Sequence, residues 1–210
     1  MPDVLIWGAS GGIGGALVRA LKAQDWRVFG AARNELNIPD EADNTYHFDA
    51  GDPYTIDQVQ MLVAQETESL DLIVYAAGGV TANPLEKLDP EDWQATFNVN
   101  VTGAYLTATK GLSLLKKEGH LVIISAYVEK IILPRMGAYV SAKSALETMF
   151  TVLPKENRRR KLTIVRPPAV DTPFWENVPF KLPDGAMQPE AVAEAIIKHV
   201  SNDETGALNL

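Results

Sequence analysis

The chain has 210 residues, of which 46% are hydrophobic, with a formal net charge of −8 and no cysteine. That length and apolar content suffice for one buried core, the acidic balance opposes a nucleic-acid partner, and the missing cysteines exclude disulfides and thiolate metal sites. No apolar stretch approaches the roughly 18 residues that cross a bilayer, so the expectation is one soluble, cytoplasmic domain over residues 1–210 with no membrane partner.

In chain order, Val4 to Trp7 reads as a buried strand. The glycine-rich segment Gly8-Ala9-Ser10-Gly11-Gly12-Ile13-Gly14 follows it, and Ile13, Leu17, Ala20 and Leu21 then recur at helical spacing. A strand, a glycine turn and a helix in that order form a phosphate cradle, because the free N–H groups of the first helical turn face an anion. Gly8 permits the tight turn, Gly12 lets the backbone approach a diphosphate, and Gly14 lets the helix pack closely on the sheet. No Gly-Lys-Ser/Thr follows, so the segment is not a P-loop.

Further strand-like runs lie at Arg27 to Ala31, Tyr46 to Phe48, Leu72 to Ala76, Leu121 to Ser125, Leu162 to Arg166 and Ala207 to Leu210, with helical patterns between most of them. Such alternation predicts an α/β fold, a doubly wound parallel sheet with helices on both faces. The basic run Arg158-Arg159-Arg160-Lys161 reads as a solvated helix end, and His47, His120 and His199 are scattered without ligand spacing, so no metal is expected. The Pro-rich section Pro167 to Pro189 reads as a substrate loop or lid past the carboxyl end of a strand.

Taken together, these residues resemble the short-chain dehydrogenase/reductase family. Gly8, Gly12 and Gly14 resemble its glycine motif, and Asp49 the acid that contacts the adenine amino group. Tyr75-Ala76-Ala77-Gly78 resembles its Asn-Asn-Ala-Gly stretch with both asparagines replaced, and Asn100-Val101-Thr102-Gly103 its Asn-x-x-Gly. Tyr139 and Lys143 match Tyr-x-x-x-Lys, and Arg166-Pro167-Pro168-Ala169-Val170-Asp171-Thr172 resembles Pro-Gly-x-x-x-Thr, with Pro168 where glycine is usual. The resemblance implies a Rossmann-like sheet of about seven strands and a cofactor site of Gly8, Ser10, Gly12, Ile13, Gly14, Asp49, Ala76, Ala77, Gly78, Asn100, Tyr139, Lys143, Pro167, Val170 and Thr172.

Carbonyl reduction needs a hydride from a nicotinamide and a proton for the developing alkoxide. Tyr139 is the candidate donor, and Lys143 at i+4 shares its helix face, where a cation lowers a phenol's pKa. The resemblance adds a lysine contact to the nicotinamide ribose and gives Asn100 a water that relays protons. The family's serine, 13 positions before the tyrosine, is here Ala126, with Ser125 one residue earlier. Ser125 fills the role if the loop Tyr127 to Gly137 carries an extra residue; otherwise the site lacks its hydroxyl, although Tyr127 offers another. At the end of the second strand Arg33 stands where NAD enzymes carry an acid, which favours NADP(H) over NAD(H); the bland alternative pairs Arg33 with Glu35.

Phe174, Trp175 and Phe180 form either an apolar wall for substrate or internal packing. The expected function is an NADP(H)-dependent oxidoreductase interconverting a small-molecule carbonyl and an alcohol, as a homo-oligomer (dimer or tetramer) by resemblance. The alternative is an NADP(H)-binding sensor or scaffold with little turnover.

Overall fold

The computed structural model describes all 210 residues. Seven parallel strands form one sheet in the order β3-β2-β1-β4-β5-β6-β7. They are β1 (Asp3–Trp7), β2 (Arg27–Ala32), β3 (Asn44–His47), β4 (Leu70–Tyr75), β5 (Leu115–Ile124), β6 (Lys161–Arg166) and β7 (Gly206–Asn209). The crossovers carry helices α1 (Gly12–Lys22), α2 (Pro53–Glu66), α3 (Pro90–Phe97), α4 (Gly103–Gly111), α5 (Gly137–Glu156) and α6 (Pro189–Ser201).

Side-chain alternation along each strand divides the core in two. Leu5, Trp7, Phe29, Ile73, Tyr75 and Ile123 meet Ile56 of α2, Ala104 of α4 and Leu146 and Phe150 of α5. Val4, Ile6, Val28, Leu72, Val74 and Val122 meet Leu17 of α1 and Val192 and Ile196 of α6 on the other face. Because both faces are covered, the central strands read as unbroken apolar runs, which is why they were visible as such in the sequence.

Every predicted strand is present, with shifted ends. β3 begins at Asn44 and stops at His47, one residue before Phe48, although the Phe48 amide still bonds the Ala32 carbonyl at 2.9 Å. β5 begins at Leu115 because the register slips between Leu70 and Leu72, so that exposed Lys116, Lys117 and Glu118 precede the buried part. The basic run lies past α5: Arg160 donates from Nη1 to the carbonyls of Leu115 and Lys116, both at 2.8 Å, and Lys161 pairs with Asp203. The sheet order reverses between β1 and β4, and in an open parallel sheet the ligand crevice lies at such a point, outside the carboxyl ends of the strands.

Candidate active site

One lip of the crevice is the turn between β1 and α1. The Gly8 and Ala9 amides both bond the Ala31 carbonyl, at 2.8 and 3.1 Å, which tightens the turn. Gly8 has φ +85°, and a Cβ there would stand 2.5 Å from the Ala77 amide nitrogen, so only glycine fits. Helix α1 has no side-chain cap at Gly11, and the amides of Gly12, Ile13 and Gly14 find no acceptor in the protein. Those orphan donors at a helix start fit a diphosphate. Across the gap, a Cβ on Gly12 would lie 2.4 Å from Thr172 Cγ2, so the glycine turn and the segment after β6 touch. The close approach expected of Gly14 is made to the Gly8 carbonyl of its own turn.

Arg33 lies just past β2, exposed and without an ion pair; Glu35 does not engage it. Its carbonyl accepts from His47 Nδ1 at 3.1 Å. Asp49 is tied to the start of α2: Oδ1 accepts from the Gly51 amide at 2.8 Å and its carbonyl accepts from Thr55 Oγ1 at 2.9 Å. Ala76, Ala77 and Gly78 leave β4 directly opposite Gly8.

The chemical end of the crevice is built on α5. Tyr139 and Lys143 are one helical turn apart and both buried, with Lys143 Nζ 5.7 Å from the Tyr139 ring centre. Lys143 donates to the Ile124 carbonyl at the end of β5, at 3.2 Å. Burial draws the Lys143 ammonium down to about 8, against a smaller upward pull from Glu147 one turn further on. Burial also pushes the Tyr139 phenol above its usual value, opposite to the lowering expected from a neighbouring cation. The lysine's contact is to a carbonyl and not to the phenol, so desolvation wins.

Asn100 is fully buried, with Nδ2 donating to Gly79 O at 2.7 Å and Thr96 O at 2.9 Å, while Oδ1 has no partner. A Cβ on Gly78 would lie 3.4 Å from that oxygen and 4.0 Å from Lys143 Nζ, so both groups border one point. Ser125, first residue after β5, is buried, and its hydroxyl has no partner beside the carbonyl that Lys143 grips. Ala126 lines a shallow outer groove with Tyr127, Ser144, Glu147 and Arg166. Tyr127 is not available as a substitute donor, since its hydroxyl donates to the Leu210 carbonyl at 3.1 Å.

The segment after β6 closes over this end. Pro167 and Val170 are buried; Asp171 and Met187 join its two arms at 2.9 Å, and Trp175 Nε1 donates to the Val170 carbonyl at 2.8 Å. Phe174 tilts against Tyr139 with ring centres 5.3 Å apart and touches Trp175 edge-on, whereas Phe180 joins neither. Two contributors were missed from sequence. Glu147 continues the Tyr139–Lys143 spacing and is gripped by Arg166 through Nε and Nη2, a signal that lay in the repeated interval of four. Tyr75 bonds the Val99 carbonyl next to Asn100; the replaced asparagine marked its position, but nothing local gave the partner, which lies 24 residues away.

Residues 3–181 match the short chain dehydrogenase family. Among similar proteins, a 3-amino-tetrahydro-pyrrolizinone reductase from Xenorhabdus hominickii is 28% identical over 83% of this chain, a match spanning 63% of that reductase. The human dehydrogenase/reductase SDR family member 11 is 27% identical over 92% of this chain and 86% of its own. The structure of an alcohol dehydrogenase from the archaeon Thermococcus sibiricus, complexed with 5-hydroxy-NADP, superposes with TM-score 0.88 at 26% identity, over 100% of this chain and 96% of that one. A 3-ketoacyl-(acyl-carrier-protein) reductase from Brucella melitensis, complexed with NADH, shares the fold with TM-score 0.88 at 20% identity, over 100% and 96% of the two chains.

Proposed function

The chain belongs to the short-chain dehydrogenase family, and on that premise we propose that it is an NADP(H)-dependent oxidoreductase that interconverts a small-molecule carbonyl and an alcohol. The observation that carries the reading is the buried Tyr139–Lys143 pair, with the unpartnered Ser125 hydroxyl and Asn100 Oδ1 beside it.

The orphan amides of Gly12, Ile13 and Gly14, with Gly8 and Ser10, would hold the diphosphate. Asp49 would take the adenine amino group, Ala76 to Gly78 the floor beside it, and Pro167, Val170 and Thr172 the nicotinamide side. The free Arg33 guanidinium suits a ribose 2′-phosphate, which is the reason for NADP(H) over NAD(H). When bound, NADPH supplies the hydride for reduction.

Tyr139, kept neutral by burial at physiological pH, gives its phenolic proton to the substrate oxygen as the alcohol forms. Ser125 donates a hydrogen bond to that oxygen and orients it. Lys143, as an ammonium below about pH 8, stabilises the phenolate left behind, and Asn100 supports the path by which the proton is replaced. Phe174 against Tyr139 supports an apolar or aromatic carbonyl compound as substrate. A sensor would gain nothing from a buried lysine that costs stability, so the enzyme reading is preferred.

Exposed Tyr105 on α4 and Val152 on α5 support a homo-oligomer through these helices, which light scattering checks. A cytoplasmic setting fits a chain without cysteine and without a helix long and apolar enough to cross a membrane. The test is NADPH oxidation against aldehydes, ketones and quinones, with Tyr139→Phe in parallel. Turnover that Tyr139→Phe abolishes while NADPH still binds is expected; turnover indifferent to it sinks the reading.

A further inference from the structure

Helices α3 and α4 are one continuous rod interrupted at a single place. Between Asn98 and Thr102 the chain makes a π turn, in which the Gly103 amide bonds the Asn98 carbonyl five residues back. In an unbroken α-helix that amide would bond Val99, four residues back. The Val99 carbonyl is instead taken by Tyr75, the last residue of β4, whose hydroxyl donates to it at 2.6 Å. Gly103 provides the room, since a Cβ there would stand 2.2 Å from the Tyr75 hydroxyl oxygen.

We propose that Tyr75 is a positioning residue, whose hydroxyl occupies the Val99 carbonyl and so holds the π register that turns Asn100 toward Lys143. The inference rests on the reading of Asn100 given above. Each residue of an α-helix turns the chain by about 100°, so the register decides which way Asn100 points. In the observed register Asn100 is locked by Gly79 and Thr96, and its free Oδ1 borders the same point as Lys143 Nζ.

Tyr75 can impose this because it is itself immobile. It is 0% exposed, and its ring meets Phe48 edge-on at 6.3 Å, while Phe48 meets Trp7 edge-on at 4.9 Å. Trp7 immediately precedes Gly8, so one aromatic row spans the sheet from the glycine turn to the π turn. The tyrosine that ends β4, where the family resemblance would place an asparagine, therefore has a defined task.

The experiment is Tyr75→Phe, which keeps the ring and its contact with Phe48. A crystal structure is expected to find Gly103 bonded to Val99 in an α register and Asn100 withdrawn. NADPH should still bind, while kcat falls about tenfold to a hundredfold, as expected for a misplaced catalytic group. Tyr75→Phe/Asn100→Ala should be no slower than Asn100→Ala alone. Gly103→Ala tests the same device from the other side: it should lower Tm, and adding Tyr75→Phe, which removes the nearest atom but leaves Ala50 Cβ 3.1 Å away, should recover part of that Tm without recovering turnover. An intact π turn in Tyr75→Phe overturns the inference and leaves the reading of Asn100 standing; full turnover in Asn100→Ala overturns that reading, and with it any role of Tyr75 in turnover.

Discussion

Lys143 shows how a single residue can oppose stability and serve chemistry. Its ammonium is buried, with a carbonyl as its one hydrogen-bond acceptor, and its pKa is drawn down to about 8. The unfolded chain therefore binds this proton more tightly than the native one, and native stability should rise as pH increases from about 8 toward the unfolded value of 10.5. Lys143→Met should abolish turnover yet raise stability at pH 7 by about 1–2 kcal/mol and remove that pH dependence, which denaturant titrations at pH 7 and 9.5 would reveal. In the wild type, kcat/KM for carbonyl reduction should fall above about pH 8 as the ammonium is lost. Arg33 makes a second test at this scale. With no competing carboxylate on its guanidinium, Arg33→Ala should reduce the preference for NADPH over NADH by about 10- to 100-fold, the value of a hydrogen-bonded charge, in paired affinity measurements. The spacing of Tyr139 and Lys143 was readable because a helix face is a local property. The fate of the Tyr127 hydroxyl was not, because its acceptor, Leu210, comes from the far edge of the sheet.

Among elements, the strands were legible and the irregularities were not. Buried parallel strands advertise themselves as apolar runs, and the Gly8 turn advertises its glycines. The slip in β5 is set by what packs opposite Leu70 and Leu72, and the π turn by a hydroxyl 24 residues earlier in the chain. Neither leaves a periodic trace in its own segment. The turn between β1 and α1 can be tested as an element. Gly8→Ala places a methyl 2.5 Å from the Ala77 amide nitrogen at φ +85°, so either the turn or the β4 exit must move. A loss of about 2 kcal/mol or more in stability is expected from the strain and the displaced backbone, together with at least tenfold weaker NADPH binding. Calorimetry of the apoprotein and NADPH titration would measure the two separately. Undiminished nucleotide affinity in a folded Gly8→Ala protein would count against the cradle.

At the scale of the whole molecule, the sheet has a chemical end and a plain end, and the plain end holds a second set of ionisable groups. His120 at the start of the buried part of β5, Thr163 of β6 and His199 of α6 were scattered in sequence, yet the fold joins them through one hydroxyl, at 2.7 and 3.1 Å. His199 Nδ1 lies 3.1 Å from Glu204, and Lys161 pairs with Asp203 close by. Burial, then the fields of His199 and Lys161, lower His120 to about 4, with Asp203 opposing. The native state thus excludes a proton that the unfolded chain accepts near pH 6.5. Stability from this group is complete above pH 6.5 and declines as pH falls toward 4, by about 2 kcal/mol between pH 7 and pH 5. For a chain of this size that is a Tm loss of about 4–8 °C. The crevice lies at the opposite ends of the strands, so the loss should leave NADPH binding per folded molecule unchanged. His120→Gln keeps a polar group beside Thr163 and removes the titration; its Tm should vary with pH less than that of the wild type between pH 7 and 5. Equal slopes for the two proteins would show that acid sensitivity arises elsewhere, among the surface carboxylates.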